Sequence, residues 1–257
     1  MSVLHLPILP VLQTMQPIDL AEMNAIKLMN RIDTKFLAPS RLLEELLNRA
    51  AADYRIQEVD NKRVGCYDTL YYDTPDVAMY VCHHNQQLCR QKIRARTYVD
   101  SDLSFLEIKN KTNKGRTKKV RMKIARDDFF GFFSNGEAVD FIRQKGAYPL
   151  ESLLPQVRTG FNRITLVNRA KTERLTIDTG LSFENLATGR SCSLPELMII
   201  ELKQDGMMPS EMKAILLEMR IKPVSISKYC LGTVLTNSST KQNRFKKKLR
   251  YIEKITH

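Results

Sequence analysis

Residues 91–124 read QKIRARTYVDSDLSFLEIKNKTNKGRTKKVRMKI. Strand side chains point alternately to opposite faces. Lys92, Arg94, Arg96 and Tyr98 therefore share one face, and Ile93, Ala95 and Thr97 the other. Glu107, Lys109 and Lys111 share a face with Leu106 and Ile108 behind them, and Lys119, Arg121 and Lys123 oppose Val120, Met122 and Ile124. Asn113-Lys114-Gly115 is a turn signature between the last two runs. The stretch predicts antiparallel strands over 91–99, 103–110 and 117–124, with one apolar face and one cationic face.

The pattern recurs outward from there. Arg174, Thr176 and Asp178 oppose Leu175 and Ile177, and Glu201 and Lys203 oppose Ile200 and Leu202. Further strands are predicted over 31–36, 69–72, 158–168, 174–178 and 197–203. Asp73-Thr74-Pro75-Asp76 closes one of them as a turn. Helical spacing is expected over 19–30, after Pro39, from Asp127 to Phe133, over 137–144, after Pro209-Ser210 and over 227–235. The expected fold is α+β, an antiparallel β-barrel with helices packed around it. Nothing divides the chain, so one domain is expected, with a core of about residues 19–235 and a basic tail over 241–257.

The chain has 257 residues, 43% hydrophobic, enough for one large core. Lys plus Arg number 41 against 28 Asp plus Glu, a formal net charge of +13 that attracts polyanions. From Lys241 to Lys254 the tail carries seven basic residues, read either as a solvated end or as an anion-binding arm. Five irregularly spaced cysteines without a C-x-x-C pair suggest reduced thiols and a cytoplasmic chain, without zinc. Pro7 and Pro10 break the apolar start, which lacks a basic leader, so a signal peptide is not expected. No run reaches the ~18–20 apolar residues of a membrane helix.

Antiparallel sheets often present a charged face to water. Here the cations crowd adjacent strands, where like charges repel, and a bound polyanion would offset that repulsion. In a barrel the charged face would line the lumen. Arginine grips phosphate oxygens as a planar fork and lysine as a point charge. Base-stacking aromatics do not interleave with the basic runs, Tyr98 excepted, and no Gly-rich phosphate loop occurs. Nucleic acid is therefore not the expected partner. Glu107 and Glu201 stand on the cationic faces as candidate ligands of a divalent ion bridging phosphate oxygens, the alternative for each being an ion pair.

The ordered motifs resemble the vacuolar transporter chaperone (VTC) domain of the triphosphate tunnel metalloenzyme superfamily, over about residues 31–232. They are Arg31-x-Asp33-x-Lys35-Phe36, Tyr71-Tyr72-Asp73-Thr74-Pro75-Asp76, Arg94-x-Arg96-x-Tyr98, Glu107-Ile108-Lys109, Lys118-Lys119-x-Arg121, Asn162-Arg163, Arg174-Leu175-x-Ile177-Asp178-Thr179, Glu201-Leu202-Lys203 and Ser227-Lys228-Tyr229-x-x-Gly232. The resemblance implies a tunnel that makes polyphosphate from ATP with Mn2+ or Mg2+. By that resemblance Arg94, Arg96, Lys109, Arg163 and Arg174 are the catalytic cations. Lys35, Lys119, Arg121, Lys203, Lys228 and Tyr98 would complete the substrate site, and Glu201 would hold the metal. A tripolyphosphatase using the same tunnel, or a non-catalytic polyanion-binding module, are the alternatives.

Arg31-x-Asp33-x-Lys35 replaces the Glu-x-Glu-x-Lys of the wider superfamily, which favours the VTC branch over the adenylate cyclase and thiamine-triphosphatase branch. A hairpin expected at His83–Gln87 is less basic than its place beside Arg94 would suggest. The chain has no room for the regulatory and membrane segments of eukaryotic members. That implies a stand-alone, bacterial type of catalytic unit, which could reach a membrane through a partner protein.

Overall fold

The structure is a computed structural model that describes residues 8–26, 28 and 31–256. In chain order the elements are α1 (Ile8–Thr14), β1 (Pro17–Ile18), α2 (Leu20–Ala25), β2 (Arg31–Pro39), α3 (Leu43–Ala50), β3 (Tyr54–Gln57), β4 (Gly65–Asp73) and α4 (Ala78–His84). There follow β5 (Arg90–Tyr98), β6 (Leu103–Lys111), β7 (Thr117–Ile124), α5 (Gly136–Lys145), β8 (Leu154–Asn168), β9 (Glu173–Asn185) and β10 (Ser191–Leu194). The chain continues through β11 (Leu197–Asp205), α6 (Glu211–Glu218), α7 (Lys228–Thr236) and α8 (Lys246–Thr256).

One sheet runs β2-β11-β9-β8-β4-β5-β6-β7, every neighbour on that path antiparallel. β2 and β7 end the path, yet the start of β2 and the β6–β7 hairpin line the same cavity. The sheet therefore curls into a half-barrel. Among the described residues β2 and β7 are not hydrogen-bonded to each other, so the expected α+β barrel is open along that seam.

The predicted alternation explains which side faces where. The convex face carries two apolar layers. Phe36, Ile164, Leu166, Leu175, Ile177, Ile200 and Leu202 pack under α1, α3 and α6. Leu70, Ile93, Ala95, Leu106 and Ile108 pack under α5 and the 3-10 turns around Phe129 and Phe132. Each buried aliphatic or aromatic side chain of this kind contributes about 1.5–3 kcal/mol.

The concave face is divided. At one end Leu37, Val157, Phe161, Phe183 and Ile199 meet α7 and, beyond it, Phe245 and Ile252 of the C-terminal segment. A Cβ on Gly232 would lie 2.7 Å from the Phe183 ring and 2.8 Å from Val157, so glycine lets α7 press onto that wall. The rest of the concave face is polar.

The helix expected after Pro39 forms as a 3-10 turn over Ser40–Leu42 followed by α3, with Pro39 itself closing β2 opposite Leu197. Three local expectations change. Residues 83–87 are the end of α4 and its turn, not a hairpin, since Asp73 accepts the N–H groups that start α4. The 19–30 helix stops at Ala25, and Lys27, Met29 and Asn30 lie outside the described residues. The basic tail is neither a solvated end nor a free arm: α8 is amphipathic, and Ile252 is buried with Phe245 against α7.

Candidate functional site

The β2–β7 seam opens into a cleft of about 1020 Å3. Arg31, Lys35, Arg90, Lys92, Lys109, Lys111, Lys114 and Arg116 line it, against Asp33 and Glu201. The register produces this convergence. Glu201 lies opposite Lys35 on one side and Thr176 on the other, while Lys109 faces Lys92 and Lys119. The segment 223–227 leading into α7 forms the cleft's flank.

Two carboxylates organise the inner cations. Asp178 takes Arg163 in bidentate fashion, Nε to Oδ1 at 2.5 Å and Nη2 to Oδ2 at 2.8 Å, and Oδ2 also accepts from Lys228. Glu107, 1% exposed, accepts from Arg94 Nε at 2.8 Å and from Lys119 Nζ at 2.9 Å. Arg94 Nη1 also donates to Tyr71 Oη at 3.3 Å. Such pairs hold planar guanidinium groups in fixed orientations.

The remaining cations are less committed. Arg96 donates through Nε to Thr69 Oγ1 at 3.2 Å and lies over the stacked Tyr67 and Phe161 rings. Lys35 donates to the Ile226 carbonyl at 3.2 Å, and Lys92 to Ser227 Oγ at 2.7 Å. Glu201 forms no hydrogen bond or ion pair among the described residues. Burial pushes its carboxyl up, but Lys35, Lys203, Arg163 and Lys109 outweigh that and hold it far below the usual carboxylate range. Among the described residues no three His, Cys, Asp or Glu side chains cluster as a metal cage. The donor set would suit a hard cation that takes one carboxylate from the protein and its other oxygens from a bound anion or water. Glu201 is the free carboxylate for that task, whereas both oxygens of Glu107 are engaged by cations.

Not every predicted residue reaches the cleft. Arg174 donates to the Met23 carbonyl at 2.7 Å beneath α2, because α2 packs Met23 on neighbouring Val167. Arg121 is exposed with its guanidinium 4.5 Å from the Phe105 ring centre. Tyr98 packs between Tyr67 and Phe105. Lys203 faces Asp33 and Arg174 in the register and feels Glu201 as its main charged neighbour. Sequence reasoning missed Asp178 and Ser227 as organisers. Their signal was present, in Asp178 alternating with Arg174 and in Ser227 standing at a helix start.

The cleft titrates near neutrality. Burial, with Lys35 close by, pushes Lys109 down to about 8. Burial raises the Tyr71 phenol, but Arg94, Arg96, Lys92 and Lys228 outweigh it and bring it down to about 8. As pH rises through 8 Lys109 loses its positive charge and Tyr71 gains a negative one, so both make the site less cationic. Tripolyphosphate affinity is expected to fall about tenfold or more between pH 7 and 9, as one charge-assisted contact is worth ~1.5–3 kcal/mol. Binding above pH 8 should take up protons, read by calorimetry in buffers of different ionisation enthalpy. The unfolded chain keeps both protons to about pH 10, so the free protein should gain stability between about pH 8 and 10. An affinity flat across pH 8 would show that neither group titrates there.

The family model described as the VTC domain matches residues 30–237. No curated protein sequence matches the chain significantly. Among solved structures, the chain is similar to a protein from Vibrio parahaemolyticus described as a candidate adenylate cyclase, at 11% identity and a TM-score of 0.47, covering 80% of this chain and 99% of that one. It is also similar to a candidate adenylyl cyclase from Hippeastrum described as having a dominant triphosphatase activity, at 15% identity and a TM-score of 0.46, covering 80% and 96%. A Pyrococcus horikoshii protein aligns at 14% identity and a TM-score of 0.43, covering 79% and 98%.

Proposed function

The chain belongs to the VTC domain family, and on that premise we propose that it is a metal-dependent polyphosphate polymerase, moving the γ-phosphate of ATP onto a growing phosphate chain. The observation that carries this reading is a cleft with eight cations against two carboxylates. It lacks the exposed aromatic platform of a single-strand nucleic-acid groove, since Tyr67 and Phe161 stack on each other beneath Arg96.

Phosphoryl transfer asks the protein mainly to position groups and neutralise charge. The terminal oxygen of the acceptor chain is itself the nucleophile: it would bond to the γ-phosphorus as the bond from that phosphorus to the β–γ bridging oxygen breaks and ADP leaves. Arg163, aligned by Asp178, and Arg94, aligned by Glu107, would fix phosphate oxygens, with Arg96 behind them. Lys35, Lys92 and Lys109 would neutralise the chain nearer the mouth. Glu201 would hold Mn2+ or Mg2+, which would neutralise part of the charge on the phosphates.

The test is incubation of purified protein with ATP and Mn2+, followed by product analysis. Long chains on a gel support the polymerase, released orthophosphate replaces it with a triphosphatase, and binding without turnover replaces both with a polyanion-binding module. Glu201→Gln is expected to lower metal-dependent turnover roughly a hundredfold or more, while tripolyphosphate binding without metal persists because the cationic wall remains. Unchanged turnover in that variant would remove Glu201 from the metal site.

A further inference from the structure

Asp73 ends β4 and is fully buried. Its Oδ1 accepts from the backbone N–H of Thr74 at 2.7 Å and of Met79 at 2.9 Å. Its Oδ2 accepts from the N–H of Tyr80 at 2.9 Å and from the Tyr229 hydroxyl. One carboxylate thus joins a strand end, the first turn of α4 and the first turn of α7. The Tyr229 ring stacks on Tyr71 with centroids 5.0 Å apart, beside the cations of the cleft.

The residues just before Tyr229 are those by which α7 meets the cleft. Lys228 bonds Asp178, the carboxylate that also aligns Arg163. Ser227 caps α7 and receives Lys92 at 2.7 Å. An α-helix turns about 100° and rises about 1.5 Å per residue. A slip of α7 by one residue would swing Lys228 off Asp178 and Ser227 off Lys92.

We propose that Asp73 and Tyr229 are positioning residues of the cleft: their buried bond registers α7 on β4, so that Ser227 and Lys228 complete the phosphate-binding wall. That they touch no substrate follows from their burial, 0% for Asp73 and 1% for Tyr229. The proposal deepens the phosphate-chain reading of the cleft and rests on it for its functional consequence. Its structural half, the placement of Lys228, stands apart from any substrate.

Asp73→Asn disturbs the α4 start as well, so the decisive variant is Tyr229→Phe, which removes one hydroxyl. Two readouts separate positioning from bulk stability. The first is amine acylation of the ligand-free protein mapped by mass spectrometry. Lys228 should label about tenfold faster in Tyr229→Phe, with the exposed Lys114 and the circular dichroism spectrum unchanged. The second is tripolyphosphate affinity in a double-mutant cycle. Lys228→Ala should weaken binding about tenfold in the wild type, about 1.4 kcal/mol, and less than about threefold in the Tyr229→Phe background. Unchanged Lys228 labelling, or equal Lys228→Ala losses in both backgrounds, would overturn the proposal. Were the wild type to bind no tripolyphosphate, the phosphate reading would fall, and the labelling alone would still decide whether Tyr229 places Lys228.

Discussion

Arg94→Ala is expected to lose all measurable turnover and about 3 kcal/mol of stability, the cost of stranding a buried carboxylate. Arg94 meets Glu107 through Nε and Nη2, and Tyr71 through Nη1. Glu107 is 1% exposed and among the described residues would keep Lys119, whose side chain is 42% exposed, as its direct ion-pair partner, with Arg96 nearby. Arg94→Lys separates the two losses. It keeps a charge beside Glu107 and most of the stability, but lacks the planar fork that can meet a carboxylate and a phosphate together. Its turnover should still fall about a hundredfold to a thousandfold, as when a preorganised donor to developing charge is removed. Melting temperature and kcat/KM measured on both variants check this. Wild-type turnover in Arg94→Lys would place the chemistry elsewhere.

Removing residues from Lys241 onward is expected to unfold or nearly unfold the protein. The deleted segment contributes Phe245 and Ile252, 3% and 4% exposed, with Leu249, Tyr251 and Ile255 packed against the same cluster. At ~1.5–3 kcal/mol per buried side chain, the loss is on the order of 5 kcal/mol or more, comparable with the ~5–15 kcal/mol that holds a domain together. The cut also removes the Lys241 carbonyl that accepts from Tyr80 Oη at 2.5 Å, and the Arg244 N–H donated to His84. By contrast, changing exposed Lys246, Lys247, Arg250 and Lys254 together to Gln should alter stability by less than about 1 kcal/mol and leave turnover at 0.15 M salt little changed. A truncated chain as stable as the full one would show that α8 does not seal the apolar end of the half-barrel.

Alternation is a property of the strand backbone, so residues 91–124 and 197–203 displayed their two faces without any structure. β7 is the expected 117–124, and β5, β6 and β11 differ from expectation by a residue or two at their ends. The cationic face, the place of Glu201 on it and the VTC resemblance were legible for the same local reason; that Glu201 has no ion-pair partner among the described residues was not. The strand pairs themselves were not. Glu107 stood equally between metal ligand and ion pair until the register set it between Arg94 and Arg121, with Lys119 in reach. Arg174 has the same sequence credentials as Arg163, but α2 lies beside one and Asp178 beside the other.

What the sequence by itself determined is a two-faced antiparallel sheet with one apolar side and one side dense in cations, because charge and side-chain period are written residue by residue. Tertiary structure alone decided which cations stay available, where the half-barrel is plugged, and that the basic tail packs the apolar face of α8 against the core. Those outcomes depend on contacts such as Tyr229 with Asp73 and Lys228 with Asp178, between segments far apart along the chain. Their partners are chosen by the curl of the sheet and the burial of α7, which no local pattern encodes.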